Sequence, residues 1–327
     1  METIKGKALL MAADLGSMTA AAEALGYTQS GITRMISSLE EEIGFPLLSR
    51  GKAGVKLTEN GRLMIPAIRK MVNAAELVNQ LAAEVQHVAT GVITIGSYFS
   101  ISALWLPKIL SAFEKKYPKV SIRIQEGGNQ DMAKWINEKS VDCCFCAKPD
   151  RSTVCDWIPI STDELVVWLP ETHKKAGWKS FPLADLEKEP FIQTSPNKDT
   201  DLDRLIRSNH LQPDVRFTTR DAFSTYNMVS AGLGVSFNQR LISREWNGHV
   251  VEVPFDPPQY IVLGLAVPSL QEASPATLHF LECVKELMDN DELLTDCASG
   301  KLTFWKKCTI INCMLSEQKI CHVSMME

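Results

Sequence analysis

Residues Tyr27–Arg50 read YTQSGITRMISSLEEEIGFPLLSR, and the two faces of this segment are unlike. Wound as a helix at about 100° per residue, Ile32, Met35, Ile36, Leu39 and Ile43 fall on one stripe, a core face. Opposite them lie Gln29, Ser30, Thr33, Arg34 and Ser37. These side chains are short or flexible and rich in hydrogen-bonding groups. A merely solvated helix face carries Lys and Glu; this one is built to lie against something.

Outward from this helix the chain keeps to short helical units. Ile4 to Leu15 reads as a helix ending near Gly16. Ser17 or Thr19 caps the next, MTAAAEAL, which ends at Gly26. Thr28 or Ser30 starts the third, which stops at Gly44. Three short helices, the last two joined only by GYTQ, outline a helix-turn-helix. In PLLSRGKAGVKLT, Leu47, Leu48, Val55 and Leu57 flank a glycine-bearing basic turn, the pattern of a small hairpin, or wing. Thr58 then caps a long helix, with Glu59 at its positive end. Met64, Ile68, Met71, Ala75, Val78, Ala82 and Val85 recur at alternating spacings of four and three, a heptad seam. The domain before it is already closed, so the seam is read as a dimerisation helix; the alternative is a helix packed on its own domain. Pro66 is expected to kink it. VATG at 88–91 ends it in a linker.

At 327 residues the chain is too long for one ordinary core. A 45% hydrophobic and 22% charged composition fits a globular protein. The net charge of −5 divides unevenly: residues 1–90 hold nine Lys+Arg against nine Asp+Glu, and the other 25 and 30 follow. No domain is basic in bulk, so any nucleic-acid contact must come from local clustering of charge. The longest apolar run, Tyr260 to Val267, is strand-sized, and no membrane partner is expected. Met1 to Lys7 leads into an amphipathic helix without a signal peptide, so a cytoplasmic location and reduced cysteines are expected.

After Gly91 the texture changes. VITIGSY, VSIRIQEG and VDCCFCAK read as strands, separated by the helices SALWLPKILSAFEKKYP and QDMAKWINEK. The pattern β-α-β-α-β implies an α/β fold with a parallel sheet. It recurs in DELVVWLP, PFIQT, DLDRLIRSNHL, VRFTTR, AFSTYNMVSAG and LGVSFN. YIVLGLAVP adds a strand and SPATLHFLECVKELM a closing helix. Two α/β lobes are expected, crossing near residues 160 and 265, with ligands beyond the carboxyl ends of the strands.

SMTAAAEALGYTQSGITRMISSLEEEIGFPLLSR followed by LTENG, then GVITIGSY, LPKILSAFEKKYP, DELVVWLPETH and VSAGLGVSF, resembles the LysR-type transcriptional regulators over roughly residues 1–290. The resemblance implies a winged helix-turn-helix over 1–58 and a linker helix for dimerisation over 59–90. It also implies a two-lobed effector domain like periplasmic binding proteins, with lobe 1 at 91–161 and 266–296 and lobe 2 at 162–265. Homodimers assembling as homotetramers on double-stranded promoter DNA are implied as well. Leu48 stands where the family usually has phenylalanine, Ser49 where it is usually acidic, and Thr33 in place of a commoner serine. The tail 297–327 extends past the usual end and is expected to be poorly ordered.

The polar face of the third helix then has a partner. A major groove presents base-edge donors and acceptors flanked by phosphates. Gln29 suits adenine and Arg34 guanine. The hydroxyls of Thr28, Ser30, Thr33 and Ser37 suit phosphates or bases, and Arg50, Lys52 and Lys56 on the wing suit the flanking backbone or minor groove. Glu40 and Glu41 extend the same face at the end that stays outside the groove. The alternative is an ordinary polar face with Arg34 paired to a nearby glutamate.

In the effector domain, Ser100 and Ser102 lie between a strand and a helix start, where hydroxyls and free N–H groups favour an anion; plain N-capping is the alternative. Gln193, Thr194 and Ser195 occupy the matching point of the second lobe, and by resemblance the two segments face each other across the cleft. A small carboxylate or similar metabolite is the expected effector. Phe237 follows as pocket floor or core residue, and Asp221 as a helix cap. No phosphate loop, HExxH pair or complete dinucleotide fingerprint occurs, and no cofactor, metal or catalytic residue is assigned. The run CCFC, with Cys143, Cys144 and Cys146 and then Cys155, reads as buried strand thiols or as a thiol sensor. Two further readings stay open: a redox regulator using these cysteines, and a small-molecule binding α/β protein without a regulatory role.

Overall fold

The computed structural model describes residues 2–51, 54–86, 88–196 and 198–290. Lys52 and the tail 297–327, with Cys308, Cys313 and Cys321, lie outside them. The described chain forms two compact units, one built chiefly on residues up to Gly91, the other chiefly on those from Val92.

The first unit holds α1 (Thr3–Leu15), α2 (Met18–Leu25), α3 (Gln29–Ile43), β1 (Leu48–Gly51), β2 (Gly54–Leu57) and α4 (Glu59–Val85). Of the alternative caps, Ser17 and Thr28 are used: the Ser17 hydroxyl accepts the Ala20 N–H at 3.2 Å and the Thr28 hydroxyl that of Gly31 at 3.1 Å. Thr58 caps α4 through the Gly61 N–H at 2.9 Å. Gly16, Gly26 and Gly44 end the three helices with positive φ, the backbone region where glycine costs least. Ile32, Ile36 and Leu39 of α3 are fully buried among Leu9, Leu10, Leu47, Val55, Ile65 and Ile68. Each such side chain contributes roughly 1.5–3 kcal/mol on leaving water. The hairpin β1–β2 docks on α1 through the Val55 N–H, donated to the Gly16 carbonyl at 2.9 Å.

The helix α4 continues through Pro66, and one expectation changes here. Its heptad seam divides: Ile68 is fully buried and Met64 packs on the same core, whereas Val78 and Val85 are 65% and 81% exposed. The first half thus follows the own-domain reading, whereas Val78 and Val85 stand exposed in the second, where Gln80 is buried and accepts the Ala276 N–H at 3.3 Å. Gly61 is required for contact, since a Cβ there would overlap the Leu47 carbonyl oxygen.

The second unit contains β3 (Gly91–Ser97), α5 (Phe99–Leu104), α6 (Leu106–Lys116), β4 (Val120–Glu126), α7 (Asn129–Asn137), β5 (Cys143–Ala147), β6 (Asp156–Pro170), β7 (Phe181–Pro182), β8 (Pro190–Thr194), α8 (Asp201–Ser208), β9 (Asp214–Thr219), α9 (Ala222–Ser230), β10 (Ser236–Gln239), α10 (Arg240–Ser243), β11 (Val250–Val267) and α11 (Pro275–Asp289). The main sheet runs β10-β6-β11-β5-β3-β4. It is mixed rather than parallel. The strands β3 and β5 pair parallel, but the long strands β6 and β11 pair antiparallel from Val250 opposite Pro170 to Val267 opposite Asp156. These two strands serve both lobes. A register shift falls where Leu263 opposes Ser161 and Gly264 opposes Pro159. Gly264 lets the strands approach there; a Cβ would overlap the Ile158 carbonyl oxygen. The strand β11 starts ten residues before Tyr260 because a second register shift, between Pro254 and Gln259, accommodates the intervening prolines.

Alternate residues of β6 build two cores in lobe 2. Leu165, Val167 and Leu169 join Phe181, Phe191, Phe237 and Phe255 on one face. Val166 and Trp168 join Ile192, Tyr226 and Val229 on the other. In lobe 1, Phe280 of α11 meets Phe113 and Phe145 edge-on at 5.4 and 6.3 Å.

Candidate nucleic-acid interface and effector cleft

With Ile32, Ile36 and Leu39 buried, α3 has its other face fixed outward. Gln29, Ser30 and Arg34 are exposed, and Thr33 and Ser37 partly so. Gln29 and Arg34 have no hydrogen-bond or ion-pair partner among the described residues, so the pairing of Arg34 with a glutamate is not found. Arg50 reaches from β1 towards Ser37, its Nη2 donating to Oγ at 3.4 Å, and Lys56 is exposed on β2. Arg50 of the hairpin therefore borders the polar face of α3. The Thr28 hydroxyl is spent on the cap and lies 3.1 Å from that of Ser30. Glu40 does not extend this face: its Oε1 accepts the backbone N–H groups of Leu47 and Leu48 at 2.7 and 2.9 Å. Its role is to fasten the start of the wing to α3.

The residues singled out in the effector domain fall into separate places. Ser100, in α5, is 1% exposed and donates to Gln239 Oε1 at 3.3 Å. Ser102 Oγ is buried without a partner among the described residues. Thr194, at the end of β8, shares a 2.6 Å hydrogen bond with Thr225 of α9. Gln193 donates to Asp203 Oδ1 at 3.0 Å. Ser195 has φ 46° and its hydroxyl donates to the Arg220 carbonyl. Phe237 is fully buried against Phe191 and Phe255, in the core of lobe 2. Asp221 caps α9 through the Ser224 N–H at 2.7 Å.

A set not found from the sequence joins the lobes. Asp201, the first residue of α8, takes hydrogen bonds from Asn129 at 3.3 Å and Gln239 at 2.7 Å. Asn129 also donates to the Asp199 carbonyl at 2.6 Å and accepts from the Tyr98 hydroxyl. Arg204 pairs with Asp199 at 2.7 Å and reaches Asp150 of lobe 1 at 3.4 Å. Burial raises the Asp201 carboxyl above its ordinary range and the Tyr98 hydroxyl well above its own. Asn129 and Gln239 both sit where a main-sheet strand meets the following helix, the position the strand-end rule marks for ligands.

Two other features are chemically quiet. A cavity of about 730 Å³ in lobe 2 is lined by Asp163, Glu164, Tyr226, Arg240, Trp246 and Glu252, among others. Within it Arg240 pairs with Glu164 at 2.7 Å and Glu252 at 3.1 Å. Cys143, Cys144 and Cys146 are buried, and burial pushes their thiols well up, away from the reactive thiolate. No group of metal-binding side chains occurs among the described residues.

A winged helix-turn-helix joined to a two-lobed α/β domain defines a DNA-binding regulator with a ligand-responsive half. Residues 6–62 match the family model of the bacterial regulatory helix-turn-helix protein, lysR family, and residues 86–289 that of the LysR substrate binding domain. The chain belongs to the LysR family of transcriptional regulators. An uncharacterized HTH-type regulator, YvbU of Bacillus subtilis (strain 168), is 30% identical over 284 residues, 86% of this chain and 97% of its own. The HTH-type regulator CzcR of Bacillus anthracis is 26% identical over 226 residues, 68% and 75% of the two chains. A full-length OxyR variant from Pseudomonas aeruginosa aligns with a TM-score of 0.67 at 18% identity, covering 91% of this chain and 96% of that one. Full-length CbnR, solved with its target DNA, aligns at 0.60 and 18%, covering 88% and 99%. At such identities the likeness is one of fold. No helix among the described residues is long and apolar enough to cross a membrane.

Proposed function

We propose that α3 enters the major groove of promoter DNA, with Gln29 and Arg34 on base edges. Thr28, Ser30, Thr33 and Ser37 then meet bases or phosphates, and Arg50, Lys52 and Lys56 hold the flanking backbone. The observation that carries this reading is the asymmetry of α3: Ile32, Ile36 and Leu39 are fully buried, while Gln29 and Arg34 are exposed and unpartnered. Two chains pair through the exposed half of α4, where Val78 and Val85 stand out with Leu81, 48% exposed. Two dimers make a tetramer on DNA. A small molecule enters between the lobes of the effector domain near Ser100, Ser102 and Thr194, and is bound without being turned over. Lobe closure shifts the placement of the dimers and so the bend of the DNA. The protein works in the cytoplasm, where its DNA is.

The test is a footprint and a fluorescence-anisotropy titration of the full chain on DNA selected from a random library. Arg34→Ala should weaken binding by about 1–3 kcal/mol and relax the preference at one base position. A footprint and dissociation constant unchanged by Arg34→Ala would sink the reading.

A further inference from the structure

We propose that the effector of this regulator carries a cationic nitrogen, such as an ammonium or guanidinium, and that Asp201 is the residue that selects it. The inference rests on the reading of the inter-lobe cleft as the effector site.

The cleft already holds a carboxylate. Asp201 Oδ1 accepts from Asn129 Nδ2 at 3.3 Å, and Oδ2 from Gln239 Nε2 at 2.7 Å. Both amides are held with their NH₂ ends towards Asp201. The amide oxygen of Asn129 is occupied by the Tyr98 hydroxyl and that of Gln239 by the Ser100 hydroxyl. Tyr98, Ser100 and Asn129 belong to lobe 1, Asp201 and Gln239 to lobe 2. This is the donor arrangement a protein would offer to a small anion bridging two lobes, and the chain supplies the anion itself.

Among the described residues, the neighbouring charges leave Asp201 without a countercharge in contact. Arg204 is engaged by Asp199 through Nε at 3.1 Å and Nη2 at 2.7 Å, and turns its other reach to Asp150. Arg207 pairs with Asp199. Asp203 faces the Thr200 N–H and Gln193. Asp150, Asp199, Asp201 and Asp203 thus stand against Arg204 and Arg207, so the set is net negative. A buried carboxylate held only by neutral donors is the costly case; a cation in contact removes that cost. Each oxygen of an ionised carboxylate has room for a second donor, so an ammonium can bind without displacing either amide. A purely anionic molecule would meet Asp201 head-on.

The experiment titrates the full-length chain by thermal shift and calorimetry. Putrescine, agmatine, L-ornithine and L-arginine are the amine probes; succinate and glutarate are carboxylates of similar length. Binding of at least one amine is expected, at least tenfold weaker in Asp201→Asn and in Ser100→Ala. It should be unchanged in Glu171→Gln, which lies outside the cleft. Succinate or glutarate binding the wild type more tightly than every amine, with binding lost in Ser100→Ala, would keep the cleft as effector site and overturn the cation assignment. Amine binding indifferent to both Asp201→Asn and Ser100→Ala would overturn the cleft reading as well. Silence of all four amines on the wild type overturns the assignment to these nitrogen cations.

Discussion

The polar residues of α3 and those of the inter-lobe cleft solve opposite problems. On α3, Gln29 and Arg34 are exposed and unpartnered on a helix whose back is locked into a core. In the cleft, Tyr98, Ser100, Asn129, Asp201 and Gln239 are bonded to one another before any ligand arrives. The first surface is exposed to its partner's chemistry and should bind without rearranging. The second is filled by its own groups, so a ligand must exchange bonds or add to them. Substitutions on α3's polar face should therefore change binding and not stability, whereas substitutions in the cleft should change both.

The largest test attacks the core behind α3. Ile36→Ala should cost about 2–5 kcal/mol of stability in denaturant melts of the full chain, since Ile36 is fully buried. A cost under about 1 kcal/mol would mean that the scaffold is not what fixes the polar face. Next comes Arg34→Ala, expected to lose about 1–3 kcal/mol in DNA affinity while its melt stays within about 0.5 kcal/mol of wild type. If the melt falls along with the affinity, the contrast between the two regions breaks.

A third test is electrostatic. Burial pushes the Asp163 carboxyl up to about 7 from an ordinary 3.8, although it accepts the Leu241 N–H at 3.2 Å. The native state thus holds this proton more tightly than the unfolded chain. The stability it contributes is complete below about pH 4 and is lost as pH rises through about 7. Asp163→Asn removes the loss, so its advantage in melting over wild type should grow between about pH 5 and pH 8 by about 2–3 kcal/mol. A difference flat across that range would show Asp163 to be ordinary.

Thr28 straddles the two behaviours, because its hydroxyl caps α3. Thr28→Ala should lower stability by about 1 kcal/mol as well as weakening DNA binding. The smallest expected effect is none. Hydrogen peroxide at concentrations that oxidise exposed thiols should leave DNA affinity unchanged, given the burial of Cys143, Cys144 and Cys146. An oxidant response abolished by Cys146→Ser would restore the redox reading.

The first unit was legible because its determinants are local. The apolar stripe of α3 follows a helical period, the caps and terminating glycines sit beside the turns they make, and the wing is a short hairpin. What escaped there was tertiary. The use of Glu40 as a clamp depends on Leu47 and Leu48 returning to it, which no periodicity records. In the second unit, the two-lobed α/β character could be read from alternating strands and helices. The antiparallel course of β6 against β11 could not, because prolines between Val253 and Gln259 mask a strand that continues across a register shift. The cleft network was least legible. Asn129, Asp201 and Gln239 lie in three distant segments and carry no spacing signal, while Phe237 offers as much apolar surface to a core as to a pocket.

The clamp made by Glu40 has a practical consequence. By tying the two N–H groups at the start of the wing to the far end of α3, it makes helix and hairpin one rigid reading head. The outward residues 29, 30, 33, 34 and 37 take no part in that joint beyond the Arg50 contact to Ser37. They can be exchanged as a set, like type in a fixed frame. A graft of these five positions from a relative with another operator should carry over that relative's target sequence while leaving half-site spacing as it was.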